Sequence, residues 1–183
     1  ATRMMQAYRQ LGCEPTWTCA PYQAGHRPRF GSQVAWGESN AVAFCNSVLG
    51  ARTNRYGDFL DIACAIAGRA PDYGLHRPEN RYATVVFDVS DLDEAFLKSD
   101  VAWPVLGNLY GRVIGNAIGV ITGLQMRPGE DTLKAFGATA ASSATSASRA
   151  RDESGLPVIT TSFAPSRLIA GTMRISSALS PEW

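Results

Sequence analysis

The sequence predicts an α/β fold in which helix and strand alternate. Three observations predict it. Helix-patterned and extended segments follow one another along the 183 residues, as in a sheet with crossover helices. Tyr82 to Val89 (YATVVFDV) is dense in β-branched and aromatic residues, the composition of a buried strand. Ala117 to Leu124 (AIGVITGL) reads as a second buried strand, with Gly119 and Gly123 admitting close backbone approach.

The remaining elements follow in order. An amphipathic first helix, with Met4, Met5, Tyr8 and Leu11 apolar, ends at Gly12, a natural cap residue. Glu14 to Cys19 is expected to be extended, and Ala20 to Gln33 is a loop rich in Pro, Gly, His and Arg. Val34 to Leu49 reads as one helix with apolar Val34, Val42, Phe44, Val48 and Leu49, stopped by Gly50. After a polar loop, Asp58 is the expected N-cap of a helix running to Gly68. Pro104 to Val113 and Glu130 to Ser142 read as helices, the second set up by Pro128-Gly129. From Ser142 to Ala150 the composition shifts to Ser, Ala, Thr and Arg. Beyond it a strand is expected at Pro157 to Phe163 and a short helix at Ser166 to Ile175.

Seventeen Lys and Arg against sixteen Asp and Glu give a formal net charge of +1. That balance offers nothing to attract nucleic acid or an acidic membrane surface. No apolar run approaches the roughly 18 residues a membrane span needs. The chain has no initiator Met and shows no signal peptide, so a start in mid-protein and a cytoplasmic setting are expected. Cys13, Cys19, Cys45 and Cys64 are too sparse for a disulfide scaffold. A thiol redox role for Cys13 and Cys19 lacks the Cys-x-x-Cys spacing that lowers a thiol pKa. The glycines between 107 and 123 match neither a phosphate loop nor a dinucleotide fingerprint, which excludes nucleotide binding by those motifs.

Three stretches are more polar than an α/β layer requires. In Thr18-Cys19-Ala20-Pro21-Tyr22 the thiol sits on a loop, where it is either an iron ligand or a small packed residue. Gly37-Glu38-Ser39-Asn40 enters a helix, and either holds an anionic group or simply caps free amides. Asn46-Ser47, followed by Arg52-Thr53-Asn54-Arg55, lies at the end of that helix. Arg52 or Arg55 grips a carboxylate there or complements the helix dipole, with Asn46 and Ser47 facing the same cavity. His26 and His76 are either acid–base groups or hydrogen-bonded surface residues. Asp91, Asp93 and Glu94 read as a solvated turn.

Together, PTWTCAPYQ (Pro15 to Gln23), Ala35 to Arg81, WPVLGNLYGRVIGNAIGVITGL (Trp103 to Leu124) and LKAFGATAASS (Leu133 to Ser143) resemble the catalytic region of the aconitase X family. The WTCAPYQ and AWGESN forms are most similar to the bacterial branch that dehydrates cis-3-hydroxy-L-proline. The archaeal branch, which acts on a phosphorylated mevalonate, is the alternative. The resemblance implies a layered αβα lobe of aconitase-type architecture. It also implies a hydro-lyase with an iron cofactor, either an iron–sulfur cluster or a mononuclear iron acting as Lewis acid. It makes Cys19 an iron ligand and Cys45 a packing residue. Glu38, Ser39, Asn40, Asn46, Ser47, Arg52 and Asn54 fall on positions expected to line the substrate cavity. The general base is similar to a serine on a swivelling small domain, which would be a partner of this chain.

The resemblance covers residues 1 to 143, a partial catalytic domain. The family's further cysteine ligands have no counterpart here, and residues 144 to 183 depart from the family pattern. This tail is expected to be frameshifted or truncated coding sequence. The chain alone would then be an inactive remnant or structural subunit of such an enzyme.

Overall fold

The computed structural model describes residues 1–149, apart from Pro15 and Asp58, together with the strand 172–174. Residues up to 81 hold little regular structure: α1 (Thr2–Gln10), α2 (Ser39–Phe44), a single π turn at Cys45–Leu49, α3 (Leu60–Ala67) and three short 3-10 turns. The α/β alternation follows: β1 (Val85–Asp88), α4 (Glu94–Leu97), α5 (Ala102–Ile114), β2 (Gly119–Thr122), α6 (Glu130–Arg149) and β3 (Thr172–Arg174). The sheet order is β2-β1-β3 and both pairings are parallel, with Val85 opposite Gly119 and Val86 opposite Thr172. Val86 and Phe87 point to opposite faces and both are buried, as in a parallel sheet covered on both sides.

Both expected buried strands are present, and α5 and α6 contain the expected helical segments. Phe87, Trp103, Tyr110 and Phe136 form the aromatic centre of the main core, Tyr110 and Phe136 meeting edge to face at 5.2 Å. Gly119 allows the close approach its sequence position suggested: a Cβ there would lie 2.6 Å from the Tyr110 hydroxyl. Cys45 and Cys64 are buried, as small core residues are.

Four expectations are corrected. The helix over Val34 to Leu49 begins only at Ser39, because the amides before it are used elsewhere. Val34 N donates to Arg52 O, Trp36 N donates to Thr53 Oγ1, and Gln33 pairs with Arg52 as an isolated parallel bridge. Glu38 then caps the helix, its carboxylate accepting from Ala41 N at 2.8 Å. Second, the segment expected to be extended turns at Trp17 to Ala20. Trp17 has φ +45°, and Ala20 N turns back to Thr18 Oγ1 at 3.0 Å. Third, Thr172–Arg174 is strand where a helix was expected, since β1 offers it a parallel edge. Fourth, α6 does not stop at Ser142 but continues to Arg149. The expected cap at Asp58, the strand at 157–163 and the rest of the segment 166–175 lie outside the described residues.

Several contacts join the irregular region to the α/β region, among them hydrogen bonds from Gln23 to Asp131 and from Lys134 to Gln23. Helix α2 packs on α6, where a Cβ at Gly137 would touch Ala43 at 3.7 Å. Arg27 pairs with Glu130 at 2.6 Å, but both side chains are about half exposed, so the pair contributes little. Packing of α5 on α6 is the tighter constraint. A Cβ at Gly111 would collide with the carbonyl oxygen of Ala140. Gly111→Ala is therefore expected to lower unfolding stability by about 2 kcal/mol in a urea titration. This loss should occur although alanine is the better helix former by about 1 kcal/mol.

Candidate functional site

The residues singled out by sequence fall into two groups. The first surrounds the start of α2. Tyr22 stacks on Phe44 with ring centroids 3.7 Å apart and planes within 7°. This stack seats the Thr18–Gln23 loop on the helix, and leaves the Cys19 thiol exposed beside it. Asn40 Nδ2 donates to the Tyr22 hydroxyl at 3.2 Å, and the buried Asn40 Oδ1 has no hydrogen-bond partner among the described residues. Ser39 Oγ donates to Glu38 Oε1 at 3.3 Å. Burial pushes the Tyr22 phenol above its ordinary value; the Asn40 hydrogen bond opposes this, and the charges of Glu38 and Cys19 add to it.

Next to this group lies an open cavity of about 380 Å³. Its lining includes Glu14, Glu38 and Asp61, with His26, Thr16 and Thr18, and, among the described residues, no Lys or Arg. Asp61 Oδ1 caps its own helix by accepting from Ile62 N at 2.8 Å. Of the residues chosen from sequence as substrate-facing, only Glu38 lines this cavity. His26, Thr16, Thr18 and Asp61 come to it from separate loops and from α3, which no local pattern could have shown.

Asn46, Ser47, Arg52 and Asn54 form the second group, and the structure does not bring them to that cavity. Ser47 Oγ donates to Ala43 O at 2.7 Å. Asn46 is buried and its side chain is fully used. Nδ2 donates to Val42 O and Thr53 O, both at 2.9 Å, while Oδ1 accepts from Thr53 N at 3.3 Å and from Arg81 Nη1 at 2.6 Å. Asn54 bridges to the next loop, donating to Tyr73 O and accepting from Leu75 N. Arg52 Nη1 donates to His76 O at 3.3 Å. Together these bonds form a brace holding 51–54 against 73–81.

Arg81 and His76 are the centre of this brace. Arg81 donates to Asn46 Oδ1, Leu75 O, Asn46 O and Ala51 O. Burial lowers its pKa from the ordinary arginine value, as does the neighbouring Arg52. His76 is buried, not the surface residue its loop position suggested. Its Nδ1 is 2.6 Å from Gln33 Oε1 and its Nε2 is in short contact with the Tyr56 hydroxyl. A side-chain amide oxygen only accepts, so Nδ1 carries the proton and Nε2 accepts from Tyr56. Burial lowers the His76 pKa, with Arg81 and Arg52 acting the same way. Burial also pushes the Cys45 thiol up to about 12, which makes it an inert packing residue.

Of the chosen residues, Cys19 is the one thiol at the surface. Among the described residues no group of three His, Cys, Asp or Glu side chains is placed to hold a metal. No described helix is long and apolar enough to cross a membrane.

Comparison with known proteins divides the chain at the brace. Residues 1–79 match the aconitase X first domain and residues 83–149 the aconitase X second domain. The chain belongs to the aconitase X family. A cis-3-hydroxy-L-proline dehydratase of Pseudomonas aeruginosa is 49% identical over 139 residues, covering 75% of this chain and 23% of that protein. One from Hypocrea jecorina is 48% identical over 145 residues, covering 79% and 24%. A phosphomevalonate dehydratase large subunit of Thermococcus kodakarensis is 47% identical over 115 residues, covering 63% and 29%. The crystal structure of aconitase X from Thermococcus kodakaraensis, in its holo form, superposes with a TM-score of 0.74 at 34% identity. That match covers 93% of this chain and 42% of that one. This aconitase X chain therefore spans about a quarter of the length of the hydroxyproline dehydratases it matches.

Asn46→Ala would leave Arg81 Nη1, Thr53 N and two carbonyls short of partners in a buried place. It is expected to cost about 3 kcal/mol in denaturant unfolding. His76 gives a pH dependence of defined sign. Its folded pKa lies below the ordinary 6.5, so the unfolded chain takes up the proton first. The stability it contributes is complete above pH 6.5 and declines as pH falls through 6.5 toward the folded value. The limiting slope is about 1.4 kcal/mol per pH unit. Unfolding titrations across this range should show the decline, and His76→Gln should remove that component.

Proposed function

We propose that this chain supplies the first two domains of an iron-dependent hydro-lyase that removes water from cis-3-hydroxy-L-proline. The observation that carries the choice of substrate is the acid-lined cavity beside Cys19. The substrate is a zwitterion with a ring ammonium. Glu14, Glu38 and Asp61 offer carboxylates to such a cation, and among the described residues the lining has no Lys or Arg to receive a phosphate ester. The two hydroxyproline dehydratases, at 49% and 48% identity, support the same choice.

In this reading Glu38, at the start of α2, faces the substrate, with Ser39 bonded to it and Asn40 holding the Tyr22 loop beside it. Asn46, Ser47, Arg52 and Asn54 act behind it, fixing the loops on which that edge rests. Loss of water across C2 and C3 needs a base for the C2 proton and an acid for the leaving hydroxyl. The base comes from a swivelling small domain or subunit. That partner is in keeping with relatives named as large subunits. The described residues do not make a metal centre by themselves. Cys19 contributes one thiolate to an iron site whose other ligands come from outside them, in a cytoplasmic enzyme.

The test places residues 1–149 in the corresponding position of the Pseudomonas aeruginosa relative. The chimera is expected to bind iron and to dehydrate cis-3-hydroxy-L-proline, with Cys19→Ser lowering the iron bound per chain. Glu14→Gln and Asp61→Asn should each raise KM about tenfold, with kcat changed far less, since they remove uniform binding. A folded, iron-loaded chimera that turns over mevalonate 5-phosphate instead, or neither compound, sinks the proposal.

A further inference from the structure

Helix α3 is apolar on almost every side. Its sequence is LDIACAIA, and Asp61 is its one charged residue. A helix of that composition is normally enclosed by protein on all faces. Here only Cys64 is buried. Asp61, Ile62 and Ala65 face the acid-lined cavity. Leu60, Ala63, Ile66 and Ala67 fall on the other side at helical spacing and are exposed, Leu60 by 45% and Ile66 by 61%. Phe59, immediately before the helix, extends this face with its ring 58% exposed. It holds φ +71°, a left-handed conformation that bulky residues keep only where surrounding structure imposes it.

We propose that this outer face of α3 is the seat of the part of an aconitase X chain that lies beyond these two domains. The occupant follows from the proportions of the relatives. The matched region is 23–24% of the hydroxyproline dehydratases and 42% of the solved aconitase X chain, so more than half of that fold lies outside the overlap. The face carries no charge, so the surface that meets it is apolar too. Docking there has a consequence for the site, because the opposite side of α3 presents Asp61 to the cavity. The incoming chain clamps the cavity wall from behind. The proposal rests on family membership and not on the choice of substrate.

The experiment mixes the 183-residue chain with the segment of the Pseudomonas aeruginosa relative that lies beyond its matched region, and follows amide exchange. Exchange across 60–67 is expected to slow by about tenfold on mixing. Ile66→Glu is expected to abolish both binding and protection. Its side chain is exposed, so an unchanged circular dichroism spectrum will show that the variant folds. Phe30→Ser, which removes another exposed ring, is the control and should bind normally. Binding that leaves 60–67 unprotected overturns the proposal, as does binding that tolerates Ile66→Glu. A dimer of the chain alone that protects the same residues and is lost in Ile66→Glu assigns the face to a second copy, and also overturns it. If the separate segment does not bind, exchange is read in the chimera carrying residues 1–149. Exchange across 60–67 as fast there as in the isolated chain overturns the proposal whatever the chimera catalyses. Protection without dehydration leaves it standing and rejects the substrate reading.

Discussion

The guanidinium of Arg81 is the interaction on which the irregular half of this chain depends. It reaches four acceptors on three stretches of chain: the side chain and carbonyl of Asn46, the carbonyl of Ala51 and that of Leu75. The acceptors are neutral, and the charge of Arg52 repels it. A partly buried cation without a carboxylate is tolerable only if nearly all its N–H groups are used, and they are. The cation takes up carbonyls that the end of α2 leaves open, a role arginine often has at helix C-termini. The local helix accordingly relaxes into a π turn there, with Ala51 N returning to Cys45 O.

From this node the order spreads in named steps. Arg81 holds Asn46, and Asn46 holds both backbone groups of Thr53. The Thr53 hydroxyl accepts from Trp36 N, and so fixes the extended stretch that delivers Glu38 to the edge of the cavity. His76 adds a second tie on the same loops, through Gln33 on one side and Tyr56 on the other. Arg81, Asn46, Thr53, His76, Gln33 and Tyr56 stand outside the cavity lining, which Trp36 and Glu38 enter. Each removes a degree of freedom from a segment that has almost no secondary structure to restrain it.

This division explains what was legible in the sequence. The strands around Val86 and Val120 and the helices α5 and α6 were readable because local composition and tertiary role agree there. Gly119 was readable because only close approach explains a glycine inside a buried strand. The stretch 34–38 was misread because its amides pair with residues 52 and 53, at a separation no periodicity records. Asn46, Ser47, Arg52 and Asn54 were rightly seen as unusual for a helix end. Polarity alone, however, does not distinguish a side chain that meets a ligand from one that braces a loop. Arg81 gives no local signal, because it lies among Pro, Glu and Asn in what reads as an ordinary surface turn.

The same architecture locates the weak side of the molecule. The first domain has a small apolar core of its own, Ala20, Tyr22 and Phe44 with Trp36, Val48 and Leu49 packed around them. Much of its rigidity comes from hydrogen bonds that end on Asn46 and Arg81, and from α2 resting on α6. Those restraints reach the Glu38 side of the cavity; on the α3 side, among the described residues, the Asp61 side chain is held only by its own helix amide. One wall is therefore fixed by the chain itself, while the other carries an apolar helix with its back uncovered. A cavity built this way gains its final shape only when something rests on that helix, so binding geometry and assembly are coupled through α3.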